Sequence, residues 1–140
     1  MLKNIDPILT GDLLAVLRDM GHGDEIVLTD ANFPAATVAQ RLIRLPGISA
    51  DRVAEAILSV MPLDDFVETP AAAMAAPDGR PDIYDDFDRV LSAAAGAPLK
   101  MEEIDRFAFY DRAKTAYAVV STGERRLYAN LILKKGVLRE

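Results

Sequence analysis

The run Glu25-Ile26-Val27-Leu28-Thr29 constrains the fold most, because its apolar residues are continuous where a half-exposed strand would alternate. Such a strand is buried on both faces. It follows what reads as a complete helix, Thr10 to Gly21, with Thr10 as N-cap, Asp12 in the first turn and Gly21 as the stop. Leu13, Val16, Leu17 and Met20 share one side of that helix. A capped helix feeding a doubly buried strand points to an α/β fold. Asp30 stands at the carboxyl end of the strand, which is where open α/β sheets bind ligands.

The alternation continues along the chain. Beyond a loop at Asn32-Phe33-Pro34, residues Arg41 to Leu45 read as a second strand closed by Pro46-Gly47. Ser49 then caps a helix carrying Val53, Ala56, Ile57 and Val60 that ends near Pro62. Asp65-Phe66-Val67-Glu68 is expected to open another strand. Ala71 to Ala76 continues it, although an alanine run without β-branched residues suits a helix as well. After the Asp78-Gly79-Arg80-Pro81 turn, Ile83, Phe87, Val90 and Leu91 form a helical stripe that fades at Gly96-Ala97-Pro98. The acidic residues 82, 85, 86 and 88 suit that helix's start and otherwise read as a solvated face. A helix over Phe107 to Tyr117, a strand over Ala118 to Ser121, a Thr122-Gly123-Glu124 turn and a last strand over Tyr128 to Leu133 complete the chain. The expected architecture is a single α/β domain over residues 1–140, with a mixed or mostly parallel sheet flanked by helices.

Composition removes several classes of function. A net charge of −6 repels phosphate backbones and anionic lipid, so neither nucleic acid nor a membrane surface is an expected partner. The chain has no cysteine, hence no disulfide, thiolate nucleophile or cysteine metal site, which suits a reducing cytoplasm. No apolar signal core or membrane-length stretch is present, so a soluble intracellular protein is expected. Phosphate loops, Gly-x-Ser-x-Gly elbows and His-x-x-x-His pairs are all missing, and one histidine cannot build a multi-histidine metal site.

Three clusters carry side chains suited to chemistry. His22, the only histidine, lies between glycines in Gly21-His22-Gly23, where little bulk obstructs a small ligand. It reads equally as a hydrogen-bonded turn residue. Asp30 lies across the strand from it, with backbones roughly 20 Å apart at strand rise, so the two meet only through loop folding or between subunits. Taken alone, Asp30 also reads as a turn former. In the second cluster, Arg106 to Arg112, arginine offers paired donors and Tyr110 an apolar face with a polar tip, a set suited to a sugar; at helical spacing its aromatics also read as core. In the third, Tyr128 and Asn130 are expected on one face of the last strand, as a polar core network or a ligand site.

Met20-Gly21-His22-Gly23-Asp24-Glu25-Ile26, Asp30-Ala31-Asn32-Phe33-Pro34, Arg106-Phe107-Ala108-Phe109-Tyr110, Thr122-Gly123-Glu124 with Tyr128-Ala129-Asn130, and Leu133-Lys134-Lys135-Gly136-Val137 form an ordered set. In that order it resembles the family of sugar mutarotases with an L-fucose and a D-ribose branch. The resemblance implies anomer exchange on a monosaccharide, L-fucose or a similar aldose, without a cofactor. It implies His22 as proton donor and Asp30, Arg106, Tyr128 and Asn130 as sugar contacts, with Tyr110 and Tyr117 as further candidates. Arg106 matches the fucose branch, since the ribose branch has histidine there. Asn32 and Asp111 depart from residues frequent in fucose-type members. The resemblance also implies a ring-like homodecamer with sites at subunit contacts. Ribose pyranase activity and non-catalytic sugar binding are the alternative readings.

Overall fold

The computed structural model describes residues 1–140. In chain order its elements are α1 (Gly11–Asp19), β1 (Glu25–Thr29), α2 (Ala35–Val38), β2 (Leu42–Leu45), α3 (Ala50–Leu58), β3 (Ala71–Met74), α4 (Ile83–Ala95), β4 (Glu102–Ile104), α5 (Arg106–Thr115), β5 (Ala118–Thr122) and β6 (Leu131–Lys134). The strands form one six-stranded sheet in the order β2-β5-β1-β6-β3-β4. Strand β6 runs antiparallel to both its neighbours, β1 and β3, while the other pairings are parallel. The sheet is therefore mixed. No helix is long and apolar enough to cross a membrane.

The continuous apolar run of β1 is explained by a core on each face. Ile26 and Leu28 join Leu13 and Leu17 of α1, Val53 and Ile57 of α3, and Phe87 and Leu91 of α4. Val27 points the other way, into a smaller cluster with Val119, Ile132 and Phe109 of α5. At about 25 cal/mol per Å² of apolar surface, burial of this central strand is a large part of what offsets the entropy of ordering the chain.

Local signals held where they were local. Thr10 caps α1 by accepting from the Leu13 N–H at 3.3 Å, and α4 ends on Gly96 in the left-handed region at φ 69°. Elsewhere tertiary packing decided. The stop of α1 is Met20 in extended conformation, and the left-handed residue of the turn is Gly23 rather than Gly21. Ser49 makes no side-chain cap; Glu124 accepts from the Ala50 N–H instead, at 3.3 Å. The strand expected at Asp65 to Glu68 is absent. The Asp64 carboxylate accepts from the Phe66 N–H at 3.0 Å, which turns the chain and leaves residues 65–68 exposed. Ala71 to Met74 is a strand because β6 and β4 pair with it on either side, overriding alanine's helical preference. The short α2 and the exposed edge strand β4 carried no pattern long enough to read.

The connection from β5 to β6 places the site. These strands lie on opposite sides of β1, so residues 123–130 must cross over the carboxyl end of β1. The last strand accordingly starts at Leu131, and Tyr128 and Asn130 belong to the crossing segment instead of to a strand face.

Candidate active site

A cleft of about 180 Å³ opens at the carboxyl ends of β1 and β3, lined by Asp30, Asn32, Phe33, Met74, Arg106, Tyr110, Leu127, Tyr128 and Asn130. Five of the seven residues singled out in the sequence meet here: Asp30, Arg106, Tyr110, Tyr128 and Asn130. Asp30 and Asn130 are buried, at 5% and 3% exposure, and pair reciprocally. The Asp30 N–H donates to Asn130 Oδ1 at 2.9 Å, and Asn130 Nδ2 donates to Asp30 Oδ2 at 3.0 Å. Asp30 Oδ1 also accepts from the Asn32 N–H at 2.9 Å. A carboxylate has about four acceptor positions, so Asp30 keeps capacity for a ligand's hydroxyls.

The remaining walls are aromatic and cationic. Phe33 packs against Tyr110 with centroids 5.3 Å apart and edge-on to Phe109 at 5.9 Å. Arg106 opens α5, its guanidinium 5.0 Å from the Phe107 ring, while Asp105 caps the helix by accepting from the Phe107 and Ala108 N–H groups. Tyr128 has φ 61°, a left-handed conformation uncommon for a residue with a bulky side chain. Met74 and Leu127 supply apolar surface.

His22 and Tyr117 lie elsewhere. His22 sits at the amino end of β1, with its ring 5.0 Å from that of Phe66 and its Nε2 3.1 Å from Asp64 Oδ1. Asp64 is 4% exposed against 44% for the His22 side chain. Burial alone would raise the Asp64 carboxyl, but the Phe66 N–H and the His22 imidazole outweigh it and hold Asp64 below its ordinary value. Tyr117 immediately precedes β5, under the Arg41 guanidinium at 4.0 Å, and takes no part in the cleft. One strand thus separates His22 from Asp30.

Two buried carboxylates outside the cleft lining, Glu124 in the crossing segment and Asp64 beside His22, were not legible in the sequence. Glu124 is buried and accepts from the N–H groups of Ala50, Arg125 and Arg126 and from the Arg126 guanidinium. Burial pushes its carboxyl up, yet those donors, Arg126 foremost, bring it to about 2. Its carbonyl accepts from the Ala31 N–H at 2.8 Å, tying the crossing segment to the loop after Asp30. The Thr122-Gly123-Glu124 turn was the only signal for it. Asp64 carried none, since its value depends on His22, distant in sequence.

The cleft is small and lined by polar and aromatic side chains at the carboxyl edge of an α/β sheet, the usual position of a small-molecule site. The chain belongs to the RbsD / FucU transport protein family, which matches residues 3–138. It is 51% identical to the L-fucose mutarotase of Glaesserella parasuis, over 98% of this chain and 96% of the relative. The fucose mutarotase of Streptococcus pneumoniae, solved in complex with L-fucose, is 42% identical with a TM-score of 0.92, covering 99% of this chain and 100% of that one. RbsD of Bacillus subtilis, complexed with D-ribose, is more distant: 28% identity and a TM-score of 0.74, covering 99% and 100%. The resemblance read in the sequence is borne out.

Proposed function

We propose that this chain exchanges the α and β anomers of L-fucose, or of a closely related aldose, through acid/base-catalysed ring opening and reclosure. The observation that carries the reading is the convergence of Asp30, Arg106, Tyr110, Tyr128 and Asn130 on one small cleft. The likeness to the Streptococcus pneumoniae enzyme solved with L-fucose supports the same sugar, and Arg106 agrees with it. Opening the ring requires a proton for the ring oxygen and removal of one from the anomeric hydroxyl. Rotation about C1–C2 then exposes the other carbonyl face to reclosure. Asp30 and Asn130 accept and donate to the sugar hydroxyls, Arg106 orients the sugar or the opening oxygen, and a tyrosine hydroxyl of the cleft or a water takes the anomeric proton.

His22 is the proton donor in this reading, and it comes from a neighbouring subunit. Asp64 holds the Nε2–H and orients the ring, and the proton given to the ring oxygen is the Nδ1–H of the imidazolium. Head-to-tail association brings the amino end of β1 in one copy to the carboxyl end in the next, and such contacts close into rings. Exposed apolar residues support this at both ends: Phe66 at 65% beside His22, Leu127 at 64% and Phe107 at 68% beside the cleft. The ring we propose is a homodecamer, and the compartment the cytoplasm.

Saturation-transfer NMR of L-fucose at anomeric equilibrium tests the function. Catalysed exchange is expected with the wild-type protein, falling at least ~100-fold in His22→Gln. Exchange on D-ribose but not L-fucose would favour the pyranase reading. Sugar binding without exchange would leave a binding protein. Mixed oligomers of His22→Gln and Arg106→Ala chains should regain about a quarter of the wild-type sites if each site draws on two subunits. No regain would refute a site shared between subunits.

A further inference from the structure

Tyr84 takes no part in the proposed chemistry, yet it touches two walls of the cleft from behind. It is fully buried on α4, stacked on Phe87 with centroids 6.2 Å apart. Its hydroxyl donates to the Met74 carbonyl and reaches the Tyr128 carbonyl at 3.3 Å. Met74 and Tyr128 both line the cleft. A phenol has one proton, so the same donor is shared between the end of β3 and the crossing segment. Burial, followed by the charge of Glu103, pushes the phenol above its ordinary value, so it stays protonated and remains a donor.

What this hydroxyl holds is unusual backbone. Tyr128 is left-handed at φ 61°, a conformation that persists in a residue with a Cβ only when its surroundings impose it. The Tyr128 carbonyl also accepts from the Asn130 N–H at 2.8 Å, and the Met74 N–H donates to the Asn130 carbonyl at 3.3 Å. One phenol therefore stands behind the backbone that aims Tyr128 and Asn130. The other end of the segment is held separately by Glu124 and Arg126, the latter tied to Asp51 and Asp86 at 2.9 and 3.0 Å.

We propose that Tyr84 is a positioning residue for the sugar site, whose hydroxyl fixes the Tyr128 carbonyl and so sets where the Tyr128 ring and the Asn130 amide meet the ligand. Its effect on turnover rests on the mutarotase reading; its effect on the backbone does not. Tyr84→Phe keeps the ring and its packing and removes only the hydroxyl.

The experiment compares wild type, Tyr84→Phe, Tyr128→Gly and the double variant. Saturation transfer on L-fucose gives the rate at saturating sugar, and peptide-level amide hydrogen exchange gives local opening. Tyr84→Phe should fold with unchanged far-ultraviolet dichroism and lose about 3- to 30-fold in rate, with less than about 2-fold further loss once Tyr128 is already glycine, which has no ring to place and adopts the left-handed backbone unaided. A merely structural tyrosine would cost the same factor in both backgrounds, and that result overturns the assignment. Amides of residues 74–76 and 127–131 should exchange about 5-fold faster in Tyr84→Phe, with those of α1 unchanged. Unaltered protection in both segments also overturns it. A wild-type protein inactive on L-fucose would refute the mutarotase reading, and the anchoring would be decided by the amide exchange alone.

Discussion

Glu124→Gln removes a charge where five donors converge: the N–H groups of Ala50, Arg125 and Arg126, and two nitrogens of the Arg126 guanidinium. The glutamine side chain has the same shape, but its NH₂ faces N–H groups that it cannot accept from. The carboxyl's fall from 4.5 to about 2 sets the size of the effect. Such a depression corresponds to about 3 kcal/mol of folding free energy, trimmed to about 2 kcal/mol because water screens the exposed side of Arg126. At pH 7 the variant should therefore be about 2 kcal/mol less stable, which for a chain of this size lowers the melting temperature by about 7 °C. The sign with pH follows from the lowered value. This increment is complete above about 4.5, the unfolded value, and is lost as pH falls toward 2. Urea denaturation of both proteins from pH 7 to pH 2, at one protein concentration because association also shifts midpoints, measures it. The curves should converge in acid. A variant within 0.5 kcal/mol of wild type at pH 7 by this reasoning is excluded, and a gap that persists to pH 2 would refute the electrostatic account.

Two further perturbations address the site and its support. Asn130→Ala removes the hydrogen bonds to the Asp30 N–H and Oδ2 and leaves the carboxylate only the Asn32 N–H, so about 2–4 kcal/mol of stability should go, together with a raised KM for L-fucose; denaturation and saturation-transfer titration measure the two effects. Gly123→Ala would bring a Cβ to 2.3 Å from the Gly47 nitrogen, forcing the crossing segment away from the loop before α3. A loss of about 1–3 kcal/mol is expected by calorimetry, whereas Gly11→Ala, with open space around it, should be neutral or slightly stabilising.

Legibility followed the range of the interaction. The Thr10 cap, the α4 stripe with its Gly96 stop and the α5 segment appeared at or near their expected places because their signals lie within a few residues, and the β1 run because an unbroken apolar strand demands cover on both faces. Expectations failed where a distant group won. Ser49 lost its capping role to Glu124; the exception is residues 65–68, which lost their strand to the local turn that Asp64 closes. Asn130, expected on a strand face with Tyr128 as a polar group needing a partner, does pair, with Asp30, but both residues lie in a crossing segment and not on a strand face.

What the sequence determined by itself was the class of fold and the residue types available for chemistry. A strand with an unbroken apolar core demands cover on both sides, and a chain with one histidine and no cysteine has no multi-histidine or cysteine metal site and no thiolate nucleophile. Only the tertiary structure decided which of those residues meet. Asp30 and Asn130 are 100 positions apart, joined because β5 and β6 flank β1 and the chain between them must pass over its carboxyl end. The same strand, extended and buried, keeps His22 at the opposite edge beside Asp64. Period and propensity act over a few residues, whereas sheet order acts over the whole chain, and here sheet order made the cleft.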